Sequence, residues 1–139
     1  MSIIEILEQS VNAGASDIFI VAGLPVTLKI KGEQVRMDTE MMLPNSIAQL
    51  VDEIYEVSKR ERTNIDANLD DDFSFAISHL GRFRINVFRQ RGSLAAVIRV
   101  IKFGLPDPKV LGIPESVLSL ADNKKGMVLV AGSAGSGKS

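Results

Sequence analysis

The residues most clearly suited to chemistry occupy positions 132–139, which read Gly-Ser-Ala-Gly-Ser-Gly-Lys-Ser. This stretch fits the phosphate-loop pattern Gly-x-x-x-x-Gly-Lys-Ser/Thr. Glycines allow successive backbone N–H groups to turn inward towards a phosphate, the lysine reaches the outer phosphates, and the last hydroxyl is suited to Mg²⁺. The pattern therefore predicts a nucleoside triphosphate and Mg²⁺ as ligands. The residues concerned are Gly132, Ser133, Ala134, Gly135, Ser136, Gly137, Lys138 and Ser139, with Lys138 in a catalytic role and Ser139 on the metal.

The residues before the loop agree with this interpretation. Residues 127–131 form a continuous apolar run, which is typical of a strand buried on both faces, and a phosphate loop follows such a strand. A flexible Gly/Ser loop is the alternative, although few ordinary loops match the full pattern. The motif alone leaves kinases, GTPases and RecA-like motors open. Because no residue of this chain follows Ser139, we expect this length to lack a catalytic glutamate and to be inactive alone.

A second candidate site lies in residues 82–102, which contain six basic residues and no acidic one. If the chain turns at Arg91-Gly92, the apolar pairs Phe83 with Val100 and Ile85 with Ile98 face each other, and Arg84 lies opposite Arg99. Like charges opposed across two strands are destabilising, unless an anion such as a phosphate binds both guanidinium groups. The six basic residues are Arg82, Arg84, Arg89, Arg91, Arg99 and Lys102.

The same arginines have other interpretations, which the residues alone leave open. They could form a solvated basic face whose charges pair with acids such as Asp70, Asp71 and Asp72. A shift of one residue in register would remove the opposition of Arg84 and Arg99. Nucleic-acid binding is a third alternative, although Phe88 alone is a weak stacking platform.

Composition excludes several classes of protein. The 139 residues are 45% hydrophobic and 24% charged, as in ordinary globular proteins. Sixteen basic and seventeen acidic residues give a net charge of -1, so charge as a whole does not favour nucleic acid or a membrane surface. There is no cysteine, and the single histidine, His79 beside Gly81, is expected in a turn. We find neither a signal peptide nor an apolar run of the ~18 residues that a membrane span requires.

Hydrophobic periodicity predicts the elements of residues 1–72. A first amphipathic helix ends near Gly14, and short strands follow near 18–21, 26–30 and 34–37. A second helix starts from a cap at Pro44-Asn45-Ser46, with Ile47, Leu50, Val51, Ile54 and Tyr55 on one face. Ser58 and Glu61 form a capping-box pattern for a third helix, and the acidic run at 70–72 ends this segment.

From Phe73 the apolar residues alternate, which predicts three strands over 73–77, 83–87 and 94–101. Residues 1–102 are therefore expected to form an α+β domain with an antiparallel sheet. Prolines and glycines over 103–113 favour a linker. Pro114 is suited to the first position of a helix that buries Val117, Leu118, Leu120 and Ala121, followed by the strand at 127–131.

Several stretches resemble one family in the same order along the chain. They are Ala15-Ser-Asp-Ile18, Val21-Ala-Gly-Leu-Pro25, Asp72-Phe-Ser-Phe75, the whole of 81–93 and the phosphate loop. Together they are similar to the type IV pilus retraction ATPases, the PilT family, over essentially the whole chain. The resemblance implies a PAS-like N-terminal domain at 1–102, a linker at 103–113 and the start of a RecA-like α/β ATPase domain at 114–139.

The resemblance also implies a function. Members are hexameric motors that bind ATP between the two domains, and the resulting motion drives pilus disassembly and twitching motility. The resemblance places Arg84 and Arg99 against the γ-phosphate. It implies a cytoplasmic protein, peripheral at the inner face of the cytoplasmic membrane, that forms a homo-hexamer and meets the inner-membrane pilus platform protein. Neither nucleic acid nor an integral membrane segment is expected.

One residue departs from the family pattern, since Phe19 stands where members usually carry histidine. The Walker B, Asp-box and His-box motifs and the retraction-specific C-terminal motif would fall after Ser139. Two rival functions therefore remain open. One is a pilus-assembly or type II secretion ATPase of the same superfamily, and the other is a non-catalytic PAS-like oligomerisation or docking module.

Overall fold

The computed structural model describes residues 1–101, 104 and 107–132. The chain divides into two compact units, Met1–Phe103 and Gly104–Ser139. The first unit contains a six-stranded antiparallel sheet and three helices, so the predicted α+β class is confirmed.

The first two helices follow from their apolar spacing. Helix α1, Ile3–Asn12, starts at a capping box in which Ser2 and Glu5 exchange side-chain-to-backbone hydrogen bonds. Helix α2, Pro44–Ser58, turns its predicted apolar face inward. Its N-cap is Leu43, with no capping side chain, so the predicted cap at Pro44-Asn45-Ser46 is wrong. Pro44 instead takes the first helical turn, where a missing N–H costs nothing.

The predicted capping box at Ser58 and Glu61 is also wrong. Ser58 is the last residue of α2, and its hydroxyl donates to the Tyr55 carbonyl. Lys59 then adopts a left-handed conformation with φ 52°, which ends the helix. The next helix, α3, is a single turn at Thr63–Asp66.

The sheet has the strand order β3-β2-β1-β6-β5-β4, and every neighbouring pair is antiparallel. The strands are β1 Asp17–Ile20, β2 Thr27–Ile30, β3 Glu33–Arg36, β4 Asp71–Ile77, β5 Gly81–Gln90 and β6 Ser93–Ile101. Strand β4 begins at Asp71, so part of the acidic run belongs to the sheet, contrary to the prediction that the run only ends the helical segment. His79 lies in the turn between β4 and β5 with φ 66°, as predicted.

The two faces of the sheet differ in chemistry because side chains alternate along each strand. The inner face carries Phe83, Ile85 and Val87 of β5, and helix α2 packs against β4 and β6. We call the other side the open face, since most of its side chains are exposed or half-buried. The residues of this face that matter below are Asp17, Phe19, Asp72, Ser74, Arg82, Arg84, Asn86, Phe88, Val97 and Arg99.

The second unit departs further from the sequence prediction. Helix α4, Glu115–Leu118, continues into a 3₁₀ turn at Ser119–Asp122, and Pro114 is its N-cap rather than its first residue. The predicted buried side is exposed at Val117, Leu118, Leu120 and Ala121. Residues 127–131 form no strand and are exposed. A strand of a parallel sheet requires hydrogen-bonded neighbours, and within residues 107–132 none lies beside it.

Candidate functional site

Only the first residue of the predicted phosphate loop lies in the described part of the chain. Gly132 is exposed and belongs to no helix or strand. Residues 133–139, including Lys138 and Ser139, lie outside the described residues. Their roles as phosphate and Mg²⁺ ligands therefore stay predictions from the sequence.

The arginine pair is described in full. Strands β5 and β6 pair with Phe83 opposite Val100, Ile85 opposite Ile98, and Arg84 opposite Arg99. The register predicted from the apolar pairs is therefore confirmed. Because those apolar residues turn inward, both arginines point to the open face, where their side chains are 59% and 68% exposed.

Each of these arginines forms an ion pair with a carboxylate. Arg84 donates from Nε to Oδ1 and from Nη2 to Oδ2 of Asp72, both at 3.0 Å. Arg99 donates from Nε to Oδ1 of Asp17 at 3.2 Å. The hydrogen bonds from Arg84 lower the pKa of the Asp72 carboxyl, and the same bonds raise the pKa of Arg84.

These ion pairs decide between two of the interpretations that the sequence left open. The alternative in which acids of 70–72 neutralise the arginines is correct for Arg84, through Asp72. Sequence reasoning missed Asp17, which lies directly opposite Arg99 in the pairing of β1 with β6. Only the position of β1 beside β6 brings the two together, and no local pattern in the sequence indicated that neighbourhood.

The four charged side chains surround one shallow cavity of about 300 Å³ on the open face. Asn86 and Val97, which lie opposite each other in the next row of the sheet, complete its wall. Two guanidinium groups at one cavity can bind the oxygens of an anion through planar, paired N–H donors. In the described part of the chain, Arg82, Arg89 and Arg91 form no ion pair. Lys102 lies outside the described residues.

A second polar cluster lies on the inner side of the sheet and has a structural role. Asp71 is only 2% exposed, yet it accepts hydrogen bonds from Arg60 at 2.7 and 2.9 Å, from Tyr55 at 2.9 Å and from Asn64 at 3.0 Å. The Arg60 guanidinium also lies over the Phe73 ring at 4.7 Å. Since its carboxylate is buried and fully bonded, this cluster ties the α2–α3 segment to β4.

The environment of the cluster shifts its ionisation. The hydrogen bonds from Arg60 chiefly lower the pKa of Asp71 to about 2, against the opposing effect of burial. Burial, together with the hydrogen bond to Asp71, raises the pKa of the Tyr55 hydroxyl. Asp71 is therefore a carboxylate, and Tyr55 a neutral donor, over the pH range in which proteins function.

Comparisons with known proteins extend these observations beyond the geometry. No protein-family model matches the chain. The chain is 34% identical over 139 residues to the type IV pilus retraction ATPase PilT of Pseudomonas aeruginosa, covering all of this chain and 40% of that protein. The crystal structure of the pilus retraction motor PilT with bound ADP matches with a TM-score of 0.80 and 38% identity, over 99% of this chain and 40% of that one. Over this length, the chain is similar to the PilT retraction ATPases in both sequence and fold.

A more distant solved structure is similar to this chain in fold alone. The Legionella pneumophila ATPase DotB matches with a TM-score of 0.60 at 20% identity, over 99% of this chain and 39% of that one. The chain thus spans about two fifths of the length of the relatives it matches. In the described part of the chain, no helix combines the length and apolar character that crossing a bilayer requires.

The departure from the PilT-family pattern at Phe19 has a simple structural outcome. Phe19 is half-buried on the open face, opposite Thr27 of β2 and Val97 of β6. The phenyl ring is accommodated within the strand, because a half-buried sheet position favours an aromatic side chain. Phenylalanine at this position therefore fits the sheet and makes this part of the open face apolar.

Proposed function

We propose that this chain is the N-terminal part of a hexameric, ATP-hydrolysing motor that powers type IV pilus retraction and twitching motility. ATP would lie between the N-terminal and ATPase domains of the assembled motor. Residues 132–139 would grip its phosphates, with Lys138 on the β- and γ-phosphates and Ser139 on Mg²⁺. The motor would act in the cytoplasm, peripheral to the inner membrane, on the pilus platform protein.

One observation supports this proposal most strongly. Arg84 and Arg99 lie opposite each other at a cavity of the open face. Nearly the whole length of this chain is similar to part of an ADP-bound retraction motor. Both side chains are more than half exposed and present planar N–H donors, so both could bind one terminal phosphate. The pair is therefore suited to an anionic ligand, while each arginine also binds a carboxylate of the chain.

The same pair suggests how ATP hydrolysis could produce motion. Arginines that contact a γ-phosphate interact with ATP but lose that partner in ADP. A ligand shifts a conformational equilibrium only through such a difference in interaction. With the linker at 103–113 as the hinge, turnover would then change the angle between the N-terminal and ATPase domains.

The experiment that tests the proposal compares ATP hydrolysis by the full-length oligomer with hydrolysis by residues 1–139. We expect activity only in the full-length oligomer, because the proposed ATP site lies between the domains of the assembled motor. In the full-length protein, Lys138→Ala should abolish measurable ATP turnover, because it removes the positive charge that would contact the outer phosphates.

The outcomes of this experiment also separate the rival functions. A full-length protein that hydrolyses no ATP, but binds a protein partner in a salt-sensitive manner without nucleotide, would favour the docking module. Cells that lack the protein should still assemble pili but fail to retract them. Cells without any pili would instead indicate an assembly ATPase.

A further inference from the structure

Each arginine of the pair on the open face forms an ion pair with a carboxylate of the chain itself. Asp17 lies opposite Arg99, Arg99 lies opposite Arg84, and Asp72 lies in the adjacent row beside Arg84. Two cations and two anions make the cavity electrically neutral. This arrangement explains how the sheet tolerates directly opposed arginines without an anion between them.

The two ion pairs differ in ways that matter for a ligand. Asp72 is 48% exposed, and its hydrogen bonds come from Arg84 alone among the described residues. Both of its oxygens bind the guanidinium fork, which is the geometry that two oxygens of a phosphate would adopt. Such a pair at the surface is weak and open to exchange, because water competes for both partners.

Asp17 is held more firmly than Asp72. Its side chain is 14% exposed, and its second oxygen accepts a hydrogen bond from the Ser16 hydroxyl at 2.9 Å. The hydroxyl of Ser16 also lies 3.2 Å from the Lys29 carbonyl of β2, which fixes this corner of the sheet. Asp17 is therefore suited to keep its ion pair with Arg99 and to orient the guanidinium group when a ligand binds.

Building on the proposed function, we infer that Asp72 is a displaceable stand-in for the phosphate, whereas Asp17 is a fixed positioning residue for Arg99. A terminal phosphate would take the place of the Asp72 carboxylate on Arg84. The Asp72 side chain would then rotate away from Arg84 and be hydrated by solvent. A carboxylate carries one negative charge and a terminal phosphate nearly two, so the exchange favours the more highly charged anion. Asp72 would thereby lower the affinity of the pair for weakly charged anions.

The test uses the 139-residue chain with Lys138→Ala, so that the phosphate loop contributes little, and inorganic tripolyphosphate as the probe. The side-chain Nε–Hε signals of Arg84 and Arg99 in NMR spectra at low salt report binding at each guanidinium. Asp72→Asn should tighten binding by about two- to fivefold, the factor that corresponds to one exposed ion pair. Asp17→Asn should give no tightening and should broaden the Arg99 signal.

Asp70→Asn is the matched control, since it removes the same charge two residues away at an exposed position that forms no ion pair among the described residues. Equal tightening by Asp70→Asn and Asp72→Asn would overturn the inference, because net charge alone would explain it. If Arg84→Ala abolishes binding while Asp72→Asn leaves it unchanged or weaker, the inference fails and the proposed function stands. If neither Arg84→Ala nor Arg99→Ala affects binding, the proposed role of the pair itself fails.

Discussion

Replacing Asp71 by alanine should lower the free energy of unfolding by about 3 kcal/mol. The change removes the acceptor that Arg60, Tyr55 and Asn64 share, and it leaves the buried Tyr55 hydroxyl without that partner. Urea unfolding followed by tyrosine fluorescence measures the loss. Tyr55 is the only tyrosine and the chain has no tryptophan, so the signal comes from the cluster itself.

Asp72→Ala is the control, because it removes the neighbouring carboxylate from an exposed ion pair and should change stability little. The pH dependence of the free energy of unfolding in acid provides a second measurement. Since the folded-state pKa of Asp71 is about 2, below its usual value of 3.8, its stabilisation is complete above pH ~4 and is lost as pH falls towards 2. Asp71→Ala should remove that acid-dependent loss. Equal destabilisation by the two variants, or an unchanged acid profile, would show that the buried cluster does not hold β4 to the helices.

Phe83→Ala should destabilise the first unit by about 3–5 kcal/mol. Phe83 is fully buried on the inner face of β5, and its ring stacks on Phe75 of β4 with centroids 5.4 Å apart. Removing the ring leaves a cavity at the centre of the sheet. Thermal or urea unfolding monitored by circular dichroism gives the change in free energy.

The matched control for this prediction is Phe88→Ala on the same strand. Phe88 lies on the open face and is half-buried, so its loss should cost much less than that of Phe83. The comparison also bears on the functional site, since residues of one strand alternate between faces. A greater loss from Phe88 than from Phe83 would mean that β5 presents Arg84 to the core side, which would contradict the described site.

The β5–β6 hairpin could be predicted from sequence because its information is local. Apolar residues alternate along both strands, and the turn at Arg91-Gly92 fixes the register. The register can be checked because it places apolar residues of one strand opposite apolar residues of the other. The opposition of Arg84 and Arg99 follows from that register without any knowledge of the rest of the fold. Helix α2 was predictable for a similar reason, since its buried residues recur at helical spacing.

Two acids were harder to interpret because their roles depend on distant partners. Asp71 lies in phase with Phe73 and Phe75, and extending that alternation by one step would have predicted its burial. Its partners come from the α2–α3 segment, which no local pattern connects to β4. Asp17 meets Arg99 only because β1 joins β6 in the sheet.

The errors at helix ends and in the second unit have different physical causes. Ser58 and Glu61 match a capping pattern, but the left-handed Lys59 ends α2 where the pattern predicts a new start. The apolar run at 127–131 has the composition of a buried strand, yet a strand forms only beside a hydrogen-bonded neighbour. None is present among the described residues of that unit.

The rate of ATP hydrolysis by full-length oligomers carrying Arg84→Ala or Arg82→Ala tests most directly whether the arginine pair acts on the terminal phosphate of ATP. Arg82 lies on the same strand and face but outside the cavity, so it is a matched control. We expect Arg84→Ala to lower kcat by at least about tenfold, as the loss of a charged donor to a transferring phosphate does, while Arg82→Ala stays near the wild-type rate. Hydrolysis by Arg84→Ala at the wild-type rate, in a correctly assembled oligomer, would contradict the claim.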